Sequence, residues 1–277
     1  MRAQSRISRE QGGAVSVQVT QPASAHLLIR WFTWYSRRHL RKHFHALRIA
    51  VGGQPAMAPG SSIILYANHA SWWDPLVGTV LRDTFFSDRR SFAPIDSMAL
   101  EKYKFFAKLG FFPVERGTAK GARQFLRGAL AATACTDTAL WVTPQGEFAD
   151  ARKRPVRFQP GLGHLAMKVQ HAVFIPLAIE YVFWEERLPE ILVRFGKPAL
   201  ATRFRASTSS PQAWTSFFEH ELEATQETLK EQALRRDPAD FHNLFHQVTG
   251  AGGVYDLWRH VKAWMSLRHA KLEHGTK

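Results

Sequence analysis

The spacing of apolar residues divides the chain into four segments. Residues 1–25 mix Arg, Gln, Ser and Gly with one short Val-rich patch, a composition typical of a mobile tail. Residues 26–50 have apolar positions at helical spacing, and residues 51–236 alternate short strand-like and helix-like stretches. Residues 237–277 return to helical patterning. We therefore predict a flexible tail, an amphipathic helix, one main domain and a C-terminal helical extension.

The second segment predicts a basic amphipathic helix that runs to residue 49. At about 100° per residue, arginines fall in one narrow stripe and apolar side chains lie broadly opposite. The stripe contains Arg30, Arg37, Arg41 and Arg48, and the apolar side contains Ile29, Phe32, Leu40, Phe44 and Leu47. Trp31, Trp34 and Tyr35 lie near the boundary, and such rings suit a membrane–water interface. A helix packed on the protein's own core would have the same periodicity, so the pattern leaves both interpretations open.

The third segment has the rhythm of a mostly parallel sheet covered by helices, which predicts an α/β fold. Its strand-like and helix-like stretches are 63–67, 76–81, 92–95, 98–109, 111–114, 120–132, 139–143, 162–169, 173–179 and 191–195. Pro211 to Arg236 is predicted as one long helix with acidic residues early and basic residues at its end, as the helix dipole favours. Asp237-Pro238 resembles a helix start, and residues 255–272 are predicted as a final basic helix after a glycine-rich break at 250–253.

Composition indicates one folded core with a polyanionic partner. Of the 277 residues, 45% are hydrophobic and 12% aromatic, which excludes global disorder. Lys and Arg outnumber Asp and Glu by 37 to 23, and the net charge of +14 favours anionic lipid headgroups or nucleic acid as partner. The single cysteine, Cys135, is interpreted as inert packing in a reducing compartment. Because no stretch approaches the roughly 18 apolar residues that span a bilayer, and no secretory signal is apparent, we expect a cytoplasmic location.

His69 and Asp74 are the candidate catalytic pair. They follow an apolar strand at its carboxyl end, where open α/β sheets place their ligands. Neutral imidazole is a base near pH 7, and a carboxylate on its other ring nitrogen fixes the tautomer and stabilises the imidazolium that forms. The spacing also has a structural interpretation, since Asp74-Pro75 is an ordinary helix start and His69 could cap the turn.

Ordered blocks of sequence favour the catalytic interpretation. They are Asn68 to Asp74 (Asn-His, four residues, Asp), Gly110 to Arg116 (Gly, an apolar pair, then Arg), Thr143 to Phe148 (Thr-Pro-Gln-Gly-Glu-Phe), and Phe174 to Ala178 around Pro176, preceded by Phe158 to Gly161. From about residue 60 to residue 180 this set resembles the 1-acylglycerol-3-phosphate O-acyltransferase family, also called the lysophospholipid acyltransferases. The first block matches the family's Asn-His-x4-Asp pattern fully.

The resemblance implies a reaction and a set of roles. His69 would deprotonate the hydroxyl of a lipid acceptor, Asp74 would orient His69, and the acyl donor would be a thioester of coenzyme A or of acyl carrier protein. Neither a metal nor a cofactor is required. The substrate-binding positions carried over are Asn68, Arg116, Gln145, Gly146 and Glu147. Residues 51–236 would form the acyltransferase domain, and the partner would be a membrane lipid surface, contacted from the cytoplasmic face by a peripheral or monotopic protein.

The third block departs from the family's Phe-Pro-Glu-Gly-Thr-Arg. This chain has Gln145 in place of Glu, Glu147 in place of Thr, and Phe148 in place of the Arg that helps hold glycerol phosphate. The basic run 152–154 follows and is interpreted as a solvated loop. We therefore expect the acceptor to be a lysophospholipid or a non-phosphate lipid, such as a glycolipid or a carotenoid glycoside.

Other interpretations stay open at this point. A catalytically inactive lipid-binding homologue fits the altered third block, and a basic nucleic-acid-binding protein fits the charge and the aromatic residues. No recognisable nucleic-acid-binding motif supports the latter, and we predict no nucleic-acid partner. A metal site at His39, His43 and His45 would need a further ligand that the neighbouring sequence does not supply. Serine-hydrolase chemistry is disfavoured because no Gly-x-Ser-x-Gly elbow occurs.

Overall fold

The computed structural model describes residues 25–55, 60–204 and 210–246. The predicted tail up to residue 24, the glycine-rich break and the predicted helix 255–272 lie outside these ranges. By its contacts the chain divides into the units Met1–Phe245 and His246–Lys277. The elements described below belong to the first unit, except for the last residue of the final strand.

The elements of the described residues alternate between helix and strand. In chain order they are α1 (His26–His43), β1 (Ala46–Ala50), β2 (Ser62–Ala67), α2 (Asp74–Phe85), β3 (Arg90–Asp96), α3 (Ser97–Lys102), α4 (Phe105–Lys108), β4 (Phe111–Val114), α5 (Ala119–Ala132), β5 (Thr138–Val142), α6 (Gly161–Ala166), β6 (Ala172–Val182), β7 (Glu190–Phe195), β8 (Ala199–Leu200), α7 (Ala201–Phe204), α8 (Pro211–Arg235), a 3-10 turn (Pro238–Asp240) and β9 (Phe241–His246).

The strands form one mostly parallel sheet, which confirms the predicted α/β class. Their order is β4-β3-β5-β2-β6-β7-β1-β9, with β8 beside β6. At the centre, β2 runs parallel to both β5 and β6, and Ile64 is in register with Leu140 and Phe174. The pair β6–β7 is antiparallel. The carboxyl ends of β2 and β5 therefore open at the same edge, where the loops that follow them can meet.

Strand β2 is buried on both faces, which explains its uninterrupted apolar sequence. Ile63 and Leu65 join a cluster that includes Leu40 of α1 and Val77 of α2. On the other face, Ile64 and Tyr66 join a cluster that includes Trp214 of α8. Helices thus cover the sheet on both sides. The loop that follows β2 therefore begins at a strand that is packed on both faces.

The predicted helix over 26–49 is wrong at its carboxyl end. Helix α1 ends at His43, Phe44 is extended, and residues 46–50 form β1, which pairs in parallel with β7. Arg48, assigned from the sequence to the arginine stripe of this helix, is buried and forms an ion pair with Glu190. All five residues of β1 are buried, so its sequence lacks the alternation that identifies a half-exposed strand, and pairing in the sheet overrides the local helical pattern.

The start of the predicted C-terminal helical extension also differs. Asp237 caps the turn as expected, with its carboxylate accepting a hydrogen bond from the Ala239 N–H at 2.8 Å. The chain then enters β9 beside β1 instead of a helix. Phe241 and Phe245 are both buried, and their spacing of four residues fits a strand face as well as a helix face. That spacing explains why the sequence pattern did not distinguish the two.

Candidate active site

The first block begins at the carboxyl end of β2, where Asn68 joins two strands. Its side-chain amide donates to the carbonyl of Ile179 at 2.9 Å, and its side-chain oxygen accepts from the Ile179 N–H at 2.8 Å. The residue is 1% exposed. This reciprocal pair fixes the point at which the loop 68–74 leaves the sheet. The described contacts of Asn68 are therefore structural, and a substrate contact for it remains a prediction.

His69 and Asp74 are in direct contact. The Nδ1 of His69 lies 2.7 Å from the Oδ2 of Asp74, and the two side chains are 21% and 5% exposed. The Ser71 N–H donates to the same carboxylate oxygen at 3.1 Å. Because the carboxylate is the acceptor in both contacts, the Nδ1 of His69 carries the proton, and Nε2 is the basic ring nitrogen.

Asp74 also begins helix α2, so the structural interpretation of Asp74-Pro75 is correct without excluding the catalytic one. The carboxylate lies in the first turn of α2, where the helix dipole favours negative charge. The backbone N–H of Asp74 donates to the Ser71 carbonyl at 3.1 Å and closes a tight turn. That turn brings two residues five positions apart into hydrogen-bonding distance.

The other oxygen of Asp74 contacts a residue that sequence reasoning did not select. The hydroxyl of Tyr181, near the end of β6, donates to Asp74 Oδ1 at 2.6 Å. Burial and the neighbouring Asp74 carboxylate raise the pKa of Tyr181 far above its ordinary value. The hydroxyl therefore stays protonated and acts as a donor. The sequence signal was weak, because Tyr181 follows the apolar strand of the fourth block and resembles one more strand residue.

Residues of the third block and of its next position form hydrogen bonds with the backbone of His69 in the first block. The side-chain oxygen of Gln145 accepts from the His69 N–H at 2.9 Å, and the Ala149 N–H donates to the His69 carbonyl at 2.8 Å. Gly146, between them, has a φ of +74°, a conformation that side chains with a Cβ rarely adopt. The predicted site residues Gln145 and Gly146 therefore lie beside the pair His69 and Asp74, here called the dyad, and Gln145 holds the backbone of His69.

Phe148 lies against His69. Its ring centroid is 4.3 Å from that of His69, and the side chain is 61% exposed. Glu147, the preceding residue, is exposed as well. The surface beside the imidazole is therefore apolar at the position where the resembled family has an arginine.

Arg116 connects the second block to the third block. Its guanidinium donates to the carbonyl of Gly146, which joins the second and third blocks. The backbone at the start of the second block requires a glycine at position 110. Gly110 has a φ of +98°, and an added Cβ would lie 2.1 Å from the carbonyl oxygen of Ser91. Of the predicted site residues, Gln145 thus contacts the backbone of His69, and Arg116 contacts Gly146, the next residue after Gln145.

The two arginines of the basic run 152–154 form ion pairs with residues of β6 and α8. Arg152 lies 3.6 Å from the carboxylate of Glu180 on β6, and Arg154 lies 2.6 Å from that of Glu227 on α8. Arg154 is therefore not a simple solvated side chain, although Arg152 is mostly exposed. These contacts draw both guanidinium groups toward β6 and α8.

Helix α1 packs against the loop of the dyad at its carboxyl end. The ring of Trp73 lies 5.3, 5.1 and 5.0 Å from those of His39, His43 and Phe44. Within the described ranges, no group of three or more His, Cys, Asp or Glu side chains is arranged to hold a metal ion, and this includes His39, His43 and His45.

The outer face of α1 is apolar and exposed. Leu27, Trp31 and Trp34 are 76%, 53% and 58% exposed, whereas Phe32 and Leu40 point into the core. Packing on the protein's own core is therefore confirmed for one side of the helix, and contact of the other side with a membrane interface stays a prediction. None of the helices in the described residues combines the length and apolarity needed to cross a bilayer.

Comparison with known proteins gives one family. Residues 48–180 match the model of the Acyltransferase family, and this stretch contains all four blocks. The match supports an acyltransferase domain in this stretch and, with it, acyl transfer as a general activity. None of the curated proteins matches the chain significantly.

Proposed function

We propose that this chain is a peripheral or monotopic O-acyltransferase that moves a fatty acyl group from a thioester to a hydroxyl of a lipid acceptor. The observation that carries this proposal is the 2.7 Å contact between His69 Nδ1 and Asp74 Oδ2, at the carboxyl end of a buried parallel strand. The proposed donor is acyl-CoA or acyl-ACP, and the proposed location is the cytoplasmic face of a membrane.

The geometry supports general-base catalysis by His69. Its Nε2 takes the proton of the acceptor hydroxyl as the oxygen attacks the thioester carbonyl, and a new C–O bond forms. The tetrahedral intermediate then collapses, the C–S bond breaks, and the leaving thiolate receives the proton from the imidazolium. Asp74 stabilises the imidazolium between the two steps, because its carboxylate contacts the opposite ring nitrogen.

The acceptor we propose is a lipid alcohol without a phosphate next to its hydroxyl. Phe148 places an apolar ring beside His69, where an arginine would be needed to bind phosphate. Arg152 and Arg154 are drawn to Glu180 and Glu227, so they do not replace that arginine in this structure. A glycolipid or a carotenoid glycoside fits this surface, and a lysophospholipid is the alternative acceptor that the test below includes.

The exposed face of α1 supports docking to a lipid surface. Its apolar side chains are flanked by the exposed basic residues Arg30, Arg38 and Arg41, a combination that favours an anionic bilayer interface. Ring contacts continue from Trp31 through Tyr35 and His39 to Trp72, at 5.8, 5.4 and 6.4 Å. Trp72 lies in the loop between His69 and Asp74. A membrane that contacts α1 would therefore lie close to the dyad, where a lipid acceptor must enter.

The test is an acceptor screen with purified protein and vesicles. A labelled acyl-CoA and a labelled acyl-ACP are each offered with pools of lysophospholipids, glycolipids and carotenoid glycosides. We expect transfer to a non-phosphate pool, and a loss of about 10² to 10⁴-fold in His69→Ala, as is typical when a general base is removed. His164→Ala, an exposed histidine on α6, is the matched control and should keep full activity.

Three outcomes would overturn the proposal. Wild-type transfer rates in a folded His69→Ala variant would exclude the dyad mechanism. Lipid binding without turnover in any pool would favour a catalytically inactive homologue. Preferential retention of DNA over anionic vesicles at moderate salt would favour the nucleic-acid-binding alternative instead.

A further inference from the structure

The two carboxylate oxygens of Asp74 have different partners. Oδ2 accepts hydrogen bonds from His69 Nδ1 and from the Ser71 N–H, whereas Oδ1 accepts from the Tyr181 hydroxyl. The contact with Tyr181 is the shortest of the three, at 2.6 Å. A carboxylate held at both oxygens cannot rotate about its Cβ–Cγ bond without breaking a charge-assisted hydrogen bond.

One strand, β6, holds both ends of the catalytic loop. The backbone of Ile179 binds Asn68 at the start of the loop, and the side chain of Tyr181, two residues later, binds Asp74 at its end. Side chains two residues apart on a strand point to the same face. β6 lies between β2 and β7 in the sheet, so the loop is anchored to a strand that is paired on both sides.

The ring of Tyr181 is itself held by packing. Its centroid lies 5.7 Å from that of Phe44, which lies 5.0 Å from that of Trp73 in the loop. The hydroxyl is thus presented to Asp74 by a ring that neighbouring aromatic side chains restrain. A group in this position determines the direction in which the carboxylate faces.

We propose that Tyr181 is a positioning residue for the dyad, holding Oδ2 of Asp74 toward His69. It acts through Asp74 and does not contact the reacting atoms. The kinetic part of this inference rests on the proposed function, since alignment of the dyad affects a rate only if the dyad performs acyl transfer. Tyr181 is the first residue beyond the stretch 48–180 that matches the family model, so the match does not include it.

The kinetic test compares Tyr181→Phe with Tyr66→Phe. Tyr66 lies on the neighbouring strand β2, is fully buried, and its hydroxyl has no hydrogen-bond partner among the described residues. Both variants keep their rings, so both are expected to fold, as checked by circular dichroism and thermal unfolding. We expect Tyr181→Phe to lower kcat roughly ten-fold with both KM values unchanged, as when a hydrogen bond to a charged group that aligns the base is lost. Tyr66→Phe should keep the wild-type kcat.

A double-mutant cycle separates positioning from a merely structural role. If Tyr181 acts through Asp74, Tyr181→Phe should cause little further loss of kcat in an Asp74→Asn background. An equal loss in both backgrounds, or a wild-type kcat in Tyr181→Phe, would overturn the inference. A rise in KM with kcat unchanged would do the same, because it would place Tyr181 in substrate binding.

A spectroscopic measurement tests the same inference without turnover. The Nδ1–H of His69, bonded to a carboxylate, should give a downfield imidazole proton resonance that is absent in His69→Ala. Tyr181→Phe should shift or broaden this resonance, and Tyr66→Phe should leave it unchanged. If the wild type transfers no acyl group but the resonance responds, the proposed function fails and the alignment stands. If the wild type is active and Tyr181→Phe changes neither the resonance nor kcat, only the alignment fails.

Discussion

The ring of Phe148 lies 4.3 Å from the ring of His69, with 39° between the ring planes. Phe148 ends the third block, in which the resembled family has an arginine that helps to hold phosphate. In this chain an apolar side chain therefore contacts His69, the proposed base, at the sequence position of that arginine. Since apolar rings leave a phosphate without the hydrogen bonds it has in water, this contact disfavours such acceptors.

The first prediction follows from this contact. Phe148→Arg should shift acceptor preference toward phosphate-bearing lysolipids, because a guanidinium at this position can form charge-assisted hydrogen bonds with a phosphate. We expect the ratio of kcat/KM for a lysophosphatidic acid to that for a neutral lipid alcohol to rise about ten-fold or more. Leu234→Arg, which adds the same charge at an exposed position on α8, is the control. An unchanged ratio in Phe148→Arg would remove Phe148 from acceptor selection.

Arg116 gives the second prediction. Its guanidinium donates to the Gly146 carbonyl and thereby links the second and third blocks beside His69. Arg116→Ala should raise the KM for the acceptor several-fold and leave kcat nearly unchanged, because the proposed role of the residue is acceptor binding, which would act equally in the ground state and the transition state. Steady-state kinetics at varied acceptor concentration measures this. Arg123→Ala on the exposed side of α5 is the matched control. A lower kcat with unchanged acceptor KM would show that the carried-over role is wrong.

The sequence predicted the centre of the sheet more reliably than its edges, and it predicted that His69 and Asp74 are in contact. Strand β2 and the pair His69 and Asp74 were predicted because a buried parallel strand leaves a continuous apolar run and the blocks have fixed spacing. The strands β1 and β9 were not predicted, because their place in the sheet depends on pairing with strands that are distant in the sequence. Such pairing leaves no periodic pattern of apolar residues within the strand itself. Tyr181 was missed for a related reason, since its hydroxyl meets Asp74 across 107 residues of sequence.

The buried pair of Arg48 and Glu190 gives the third prediction. Arg48 also donates to the side-chain oxygen of Asn243 at 2.7 Å and lies 5.3 Å from the Trp184 ring centroid, so it joins β1, β7 and β9. Arg48→Met should reduce the free energy of unfolding by about 3–5 kcal/mol, because the Glu190 carboxylate is left buried without its partner.

Urea unfolding of a double-mutant cycle measures this cost. Adding Glu190→Leu to Arg48→Met should recover most of the stability, since two apolar side chains can replace a buried ion pair. The exposed pair of Arg90 and Asp137 is the control, and Arg90→Met should cost less than about 1 kcal/mol. Equal costs for the buried and the exposed arginine would contradict this account.

The fourth prediction concerns the pH dependence of stability and rests on Glu180. Burial raises the pKa of Glu180 above its ordinary value, and Asp150 raises it further, while Arg152 and Lys230 act in the opposite direction. The folded state therefore binds the proton more tightly than the unfolded state does. Stability is lost as the pH rises from the ordinary glutamate value toward the raised folded value, and the penalty is complete above it.

Glu180→Gln should therefore be more stable than the wild type at neutral pH, and the difference should disappear in acid, where both forms are neutral. Asp137→Asn provides a control of opposite sign, because the hydrogen bond from Arg90 lowers the pKa of Asp137, and ionised Asp137 therefore stabilises the fold. That variant should be less stable than the wild type at neutral pH and equal to it once the pH falls below the folded pKa. Thermal unfolding from neutral to acidic pH measures both differences. If Glu180→Gln is destabilised at neutral pH, the ion pair with Arg152 outweighs burial, and the assigned direction of the Glu180 pKa shift is wrong.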